Sequence, residues 1–271
     1  MDRFERAHGL LDVDALRDSR VLVAGLGSGG STVALELAKA GVGGFTLIDR
    51  DRLEEPNLIR HECDDRYVGC NKAAAVADLI AHRNPEAEIE SIAADVFELG
   101  DRLGAAVAAS DLVAVCTDVE PPKHLLNRLC LEASVPAVYA GVYARGVGGE
   151  VLRCGDGGGD PCYSCVTSVL KDTTELPADE AELDYGAIDG DGTLHGAPGL
   201  GLDVRLIAII HAKACLHELT GESGGHNVVL FGMTPVEGLF PRPLASALLN
   251  VAPQAGCLAC APMRQPREVP S

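Results

Sequence analysis

A doubly wound α/β fold with a mostly parallel, Rossmann-like sheet is what three features of this chain predict. Short apolar runs alternate with segments of helical spacing, as they do when strands are covered by helices on both faces. The first apolar run empties into a glycine-rich loop. Two Cys-x-x-Cys pairs, Cys162/Cys165 and Cys257/Cys260, flank the later part of the chain.

The elements follow in order. Arg20–Ala24 is an apolar run that ends in glycines, hence a buried strand. Ser31–Ala40 has helical spacing at Val33, Ala34, Leu37 and Ala38, with Gly41 as the stop. Phe45–Ile48 is the second strand, closing on Asp49. Asn71–His82 reads as a helix ended by Asn84-Pro85, Ile89–Ala93 as a strand and Asp101–Ala109 as a helix. Leu112–Cys116 is a strand ending at Thr117-Asp118, Pro121–Ala133 a helix and Ala137–Ala140 a strand. Lys171–Leu202 is acidic and glycine-rich without periodicity, so it reads as a crossover loop. Val204–Leu219 returns to helical spacing, and Asn227–Phe231 begins a C-terminal β extension of the same sheet.

Composition limits the partners. At 271 residues and 47% hydrophobic, the chain can bury a full core. It has no apolar stretch of membrane-spanning length and no basic-then-apolar leader, which points to a cytoplasmic protein without membrane contact. The formal charge, 22 − 40 = −18, opposes binding to a phosphate backbone, so nucleic acid is not expected as a partner. Ten cysteines are compatible with reduced thiols and a metal. Four thiolates can close a tetrahedral Zn²⁺ site, and knuckles supplying two sulfurs each are the usual way to build one. The expectation is a structural four-cysteine zinc site clamping the C-terminal part onto the middle of the chain. A redox role requires a pair that opens a helix after a strand, and in this reading neither pair does.

Gly25-Leu26-Gly27-Ser28-Gly29-Gly30 matches G-x-G-x-x-G between a strand and a helix. Such glycines let the backbone approach phosphates at a helix N-terminus. Asp49 ends the next strand, where a carboxylate can accept from ribose hydroxyls. Taken alone the loop favours NAD(P) or FAD, with ATP as the alternative. The following segment moves the balance towards ATP: Asp51, then Asn57 and Arg60 in Pro56–Arg60, Lys72 at a helix start, and Asp118. Transfer at the α-phosphate needs cations around the triphosphate and a carboxylate for Mg²⁺, whereas hydride transfer needs neither.

These motifs, in this order, resemble the ThiF/MoeB-type adenylyltransferases of the ubiquitin-activating-like family. The resemblance rests on GLGSGG, LIDRD (Leu47–Asp51), PNLIR, VGCNK (Val68–Lys72), CTD (Cys116–Asp118) and both knuckles. It implies activation of the C-terminal Gly-Gly carboxylate of a ubiquitin-like or sulfur-carrier protein as an acyl-adenylate, by a homodimer. It also implies that Asp49 binds ribose, that Asn57, Arg60 and Lys72 engage phosphates, and that Asp118 positions Mg²⁺. Arg3–Arg6 is similar to an N-terminal arm whose second arginine, here Arg6, reaches the partner protomer's ATP. The whole chain then reads as one adenylation domain: arm 1–19, nucleotide-binding core 20–165, crossover loop 171–202, and a C-terminal part 203–271 with the second knuckle. The chain departs from the pattern at Ala7, where Gln is usual, and at Val119, where Asn is common. Lys171–Leu202 holds no cysteine for a thioester, and Cys63, Cys70, Cys116, Cys130, Cys154 and Cys215 have no catalytic context in the sequence. A peptide or tRNA base as substrate, or an NAD(P)/FAD oxidoreductase, are the alternatives.

Overall fold

The computed structural model describes residues 3–155, 159–173, 187–188, 194–195, 200–222 and 224–264. In chain order the first elements are α1 (Val13–Asp18), β1 (Arg20–Ala24), α2 (Ser28–Ala40), β2 (Gly44–Ile48), α3 (Lys72–Arg83) and β3 (Glu88–Ile92). Then come α4 (Asp101–Ala108), β4 (Leu112–Val115), α5 (Glu120–Ala133), β5 (Ala137–Val142), β6 (Gly148–Cys154) and α6 (Tyr163–Thr173). A short antiparallel pair, β7 (Ala187–Ile188) with β8 (Leu194–His195), precedes α7 (Gly201–Leu219), β9 (Val228–Gly232), β10 (Ala245–Leu249) and α8 (Ala261–Arg264).

The main sheet has eight strands in the order β10-β9-β6-β5-β4-β1-β2-β3. From β3 to β5 every pairing is parallel, and β6, β9 and β10 add on antiparallel. Residues of β1 alternate between two cores. Val21 and Val23 pack with α2, α3 and α7, whereas Leu22 and Ala24 pack with α4, α5 and α6. A strand buried on both faces has no polar side, which is why the central strands read as unbroken apolar runs. Chain order reverses between β1 and β4, and in open α/β sheets ligands bind in the crevice at such a switch point.

Most boundaries agree with the sequence within a residue or two, and the differences among the expected elements fall at α2, β6, α6 and α7. Helix α2 begins at Ser28, so half of the expected glycine loop is the helix's first turn, with Gly27 as N-cap. Strand β6 is absent from the sequence reading because it opens on two glycines. A Cβ on Gly148 would come within 2.5 Å of the Phe231 carbonyl oxygen, so close packing excludes the side chain that would have announced a strand. Helix α6 starts at Tyr163 and contains Lys171, the first residue assigned to the crossover loop, and α7 starts before the end assigned to it. Thus Cys162 and Cys165 do open a helix after a strand, contrary to the expectation. The rest of that loop, 174–186, 189–193 and 196–199, lies outside the described residues.

Candidate active site

The site grows from the C-terminal ends of β1, β2 and β4. Gly25, with φ of 89°, turns the chain out of β1; a Cβ there would meet the Cys116 carbonyl oxygen at 2.9 Å and Thr117 N at 3.1 Å. The segment leading to Asp118 is therefore in contact with the glycine loop. Gly30 is under a tighter constraint, since its Cβ would fall 1.9 Å from the Gly25 carbonyl oxygen. Over Gly27 there is open space within 4 Å, at the unsatisfied N-terminus of α2. Ser28 opens that helix.

Asp49 ties β2 to the loop. Its Oδ2 accepts the Leu26 N–H at 2.6 Å and its Oδ1 the Asp51 N–H at 2.8 Å. Burial raises its pKa, and those two N–H groups and the charge of Lys72 oppose the rise. Each oxygen keeps a lone pair for a further donor. Lys72, the first residue of α3, reaches Asp51 at 3.1 Å with its side chain 13% exposed. Asn71, which caps α3 through Ala74 N–H, also donates to the carbonyls of Asp49 at 2.8 Å and Asp51 at 3.0 Å. One asparagine thereby sets Asp49, Asp51 and Lys72 in a fixed relation. Its cue was present in the sequence, as an Asn directly before the helix-start lysine.

Asn57 lies in a single-turn 3-10 helix, Glu55–Asn57, where its Oδ1 accepts the Glu54 N–H at 3.1 Å. Arg60 and Asp118 form no side-chain hydrogen bond or salt bridge to any described residue. Arg60 lies beside the start of α7, where a Cβ on Gly201 would be 2.9 Å from Arg60 Cα. Close by, Glu62 accepts from Thr32 Oγ1 at 2.9 Å and pairs with Arg205 of α7 at 2.6 Å. His61 is buried, and its Nε2 donates to the Leu26 carbonyl at 2.7 Å. Nothing in the sequence but its place after Arg60 marked it.

Arg6 is not brought to this chain's own loop. Phe4 is buried near Gly41, where a Cβ would be 3.7 Å from its ring, and Arg3 donates to the carbonyls of His82 and Arg83. The arm therefore lies along the C-terminal ends of α2 and α3. The glycine loop is at the other end of α2, about 20 Å away at about 1.5 Å per residue.

Cys63, Cys130, Cys154 and Cys215 are enclosed by the core. Cys116 has a partner the sequence did not reveal: its thiol donates to His211 Nδ1 at 3.8 Å, while His211 Nε2 donates to the Val138 carbonyl at 3.0 Å. Burial pushes the Cys116 thiol up to about 12 and His211 down to about 4, so both stay neutral beneath the glycine loop.

The four knuckle sulfurs, all buried, lie within 4.8 Å of one another. Cys162–Cys165, Cys162–Cys257 and Cys165–Cys260 are separated by 3.9, 3.6 and 3.5 Å. A disulfide would bring two sulfurs to about 2.05 Å. A tetrahedron with Zn–S bonds of about 2.3 Å has edges of about 3.8 Å. The spacing suits a metal and not a bond, and the redox reading fails on this clustering instead of on position. The Gln254 N–H donates to Cys165 Sγ at 3.4 Å, as expected around a thiolate ligand.

A crevice at the switch point, with a glycine loop after the first strand and a buried carboxylate after the second, defines a doubly wound, Rossmann-like α/β protein. The ThiF family profile matches residues 3–265, and the chain belongs to the ThiF family. It is 37% identical over 158 residues to molybdopterin-synthase adenylyltransferase of Escherichia coli (strain K12), covering 58% of this chain and 62% of that protein. It is 33% identical over 174 residues to SAMP-activating enzyme E1 of Haloferax volcanii, covering 61% and 62% respectively. The matched region thus spans less than two thirds of the length of these curated relatives. Among solved structures, E. coli MccB crystallised with MccA aligns with a TM-score of 0.71 at 19% identity, over 96% of this chain and 74% of that one. At that identity the likeness shows the fold alone. Among the described residues no helix is long and apolar enough to cross a membrane.

Proposed function

We propose that this chain is an ATP- and Mg²⁺-dependent adenylyltransferase that activates the C-terminal Gly-Gly carboxylate of a ubiquitin-like or sulfur-carrier protein, acting as a homodimeric single domain in the cytoplasm. The observation that carries this reading is Lys72. A lysine in the first turn of a helix is repelled by the helix dipole, and Lys72 is held there with its side chain mostly buried, paired at 3.1 Å with an Asp51 carboxylate that is itself half exposed, and its charge is felt by Asp49. An anion in the crevice resolves that placement, and the triphosphate of ATP is one.

In this mechanism Asp49 accepts from the ribose, and Asn57, Arg60 and Lys72 draw the phosphate oxygens into line. Asp118 would hold Mg²⁺, which neutralises charge on the leaving phosphates. A carboxylate oxygen of the substrate attacks the α-phosphorus, the bond to the bridging oxygen breaks, and pyrophosphate leaves with its electron pair. Positioning and charge stabilisation suffice, with no protein nucleophile. The likeness to an adenylyltransferase and to an activating enzyme supports this reading. The four thiolates would hold Zn²⁺ away from the chemistry.

Labelled pyrophosphate should exchange into ATP when a carrier with an intact Gly-Gly end is present, and not when that end is removed. No exchange across a panel of carriers would overturn the proposal. A thiol-sensitive adduct abolished by replacing one non-knuckle cysteine would replace the direct mechanism with a thioester one.

Arg6 is assigned to the partner's ATP, in keeping with an arm packed far from its own glycine loop. Arg6→Ala and Lys72→Ala homodimers should each be weak, whereas mixtures that exchange subunits should regain activity through one intact site. Mixtures as inactive as their parents, with exchange demonstrated, would refute the shared site.

A further inference from the structure

Leu26, in the middle of the glycine loop, is held at both ends. Its N–H donates to Asp49 at 2.6 Å, and its carbonyl accepts from His61 at 2.7 Å. The other ring nitrogen of His61, Nδ1, lies 3.0 Å from the Cys63 backbone N–H. A backbone N–H can only donate, so Nδ1 is the acceptor and the ring proton sits on Nε2. Burial lowers the His61 pKa; the Lys72 and Arg60 charges lower it further, while the Leu26 carbonyl and Glu62 act the other way. The neutral ring is therefore a fixed donor aimed at one carbonyl.

The geometry assigns His61 as a positioning residue for the nucleotide's phosphates, acting through the Leu26–Gly27 peptide. A trans peptide holds its C=O and N–H antiparallel. Turning the Leu26 carbonyl onto His61 turns the Gly27 N–H the other way. Gly27 is the N-cap of α2, has no side-chain cap, and has no atom within 4 Å of where its Cβ would stand. Its N–H is thus presented at the positive end of a 13-residue helix, where an anion is stabilised. His61 also closes the turn that carries Arg60, because its own N–H donates to the Asn57 carbonyl at 2.9 Å. One residue sets two phosphate-facing segments in register. Without its ring the Leu26 carbonyl would be free to rotate towards the crevice, where it would oppose a phosphate oxygen.

This inference rests on the reading of the loop as an ATP site, and its test uses nucleotide alone, without a carrier protein. Equilibrium binding of ATP and of adenosine is compared for the wild-type chain, His61→Met and His61→Gln. Methionine keeps much of the volume and offers no donor, so ATP should bind about ten-fold more weakly, the value of about one hydrogen bond to an oriented group. Adenosine, held by Asp49 and not by the helix terminus, should stay within about two-fold. Glutamine can place an N–H near the Nε2 position but cannot also accept from Cys63, and it should restore ATP binding to within about three-fold of wild type. That rescue separates phosphate positioning from a general structural role. Wild-type ATP affinity in the His61→Met protein, glutamine failing to rescue, or adenosine weakening as much as ATP would each overturn the inference. Should His61→Met fail to fold, His61→Asn, whose donor is too short to reach Leu26, takes its place with the same outcomes. Wild-type protein that binds no ATP would instead remove the ATP reading itself, and this inference with it.

Discussion

Lys72→Ala is expected to lower carrier-dependent pyrophosphate exchange by more than about ten-fold while leaving the fold intact. Two magnitudes decide this. The Lys72–Asp51 pair is 3.1 Å long, but Asp51 is 54% exposed, so solvent screens it and its loss costs at most about 1 kcal/mol. Removing a cation from the first turn of α3 returns part of that through the helix dipole. Against this stands the charge that develops on the phosphates as pyrophosphate departs, for which one oriented cation contributes about 1.4 kcal/mol per ten-fold in rate and commonly more. Asp118→Ala should reduce exchange to a similar degree, because its carboxylate has no described partner whose loss would disturb the fold. Thermal unfolding measured beside the exchange assay separates the effects. Exchange within two-fold of wild type, in a folded Lys72→Ala protein, would refute the assignment.

The second large effect belongs to the knuckles. Protein purified without chelator should carry about one Zn²⁺ per chain. Cys165→Ser should lose most of it and unfold about 10 °C lower or more, since a loss of about 4 kcal/mol shifts Tm by about 2–4 °C per kcal/mol in a domain of this size. Cys165 is the informative choice, because it is fully buried and also accepts the Gln254 N–H. A serine hydroxyl there is a poor ligand and leaves that donor with a worse acceptor. Any fall in pyrophosphate exchange should track the unfolded fraction, measured as a function of temperature. Metal-free wild-type protein of unchanged Tm would show that the four thiols pack as a small apolar cluster and nothing more.

The parallel core was legible because local and global preferences agree there. Val21, Leu22 and Val23 are apolar whichever face they meet, so periodicity could not mislead, and the stop at Gly41 is a glycine with φ of 110°. The candidate site was legible where its chemistry is concentrated in short motifs, as with Asp49 and Lys72. What stayed hidden depends on contacts between distant segments. Gly148 and Gly149 look like loop residues until Phe231 and Ile207 are seen to fill the space beside them. His61 and His211 are single histidines in ordinary surroundings, and only the fold brings one to Leu26 and the other to Cys116. The knuckles are legible by spacing, whereas α6 is not, because the Gly-Asp-Pro before Cys162 signals a loop although Cys162 already accepts the first helical hydrogen bond, from Val166 N–H.

The sulfur cluster joins positions 95 residues apart, and this separation has a consequence for the order in which the chain matures. Every strand of the parallel core is complete by Val142, and all the residues assigned to the nucleotide are already synthesised. Cys257 and Cys260 are made 95 residues after their partners Cys162 and Cys165. Bringing them back to α6 requires closing a long loop, a slow, non-local step whose entropic cost grows only gradually with length. The nascent chain therefore passes through an interval in which the parallel core is complete while Cys162 and Cys165 still await their two partner sulfurs.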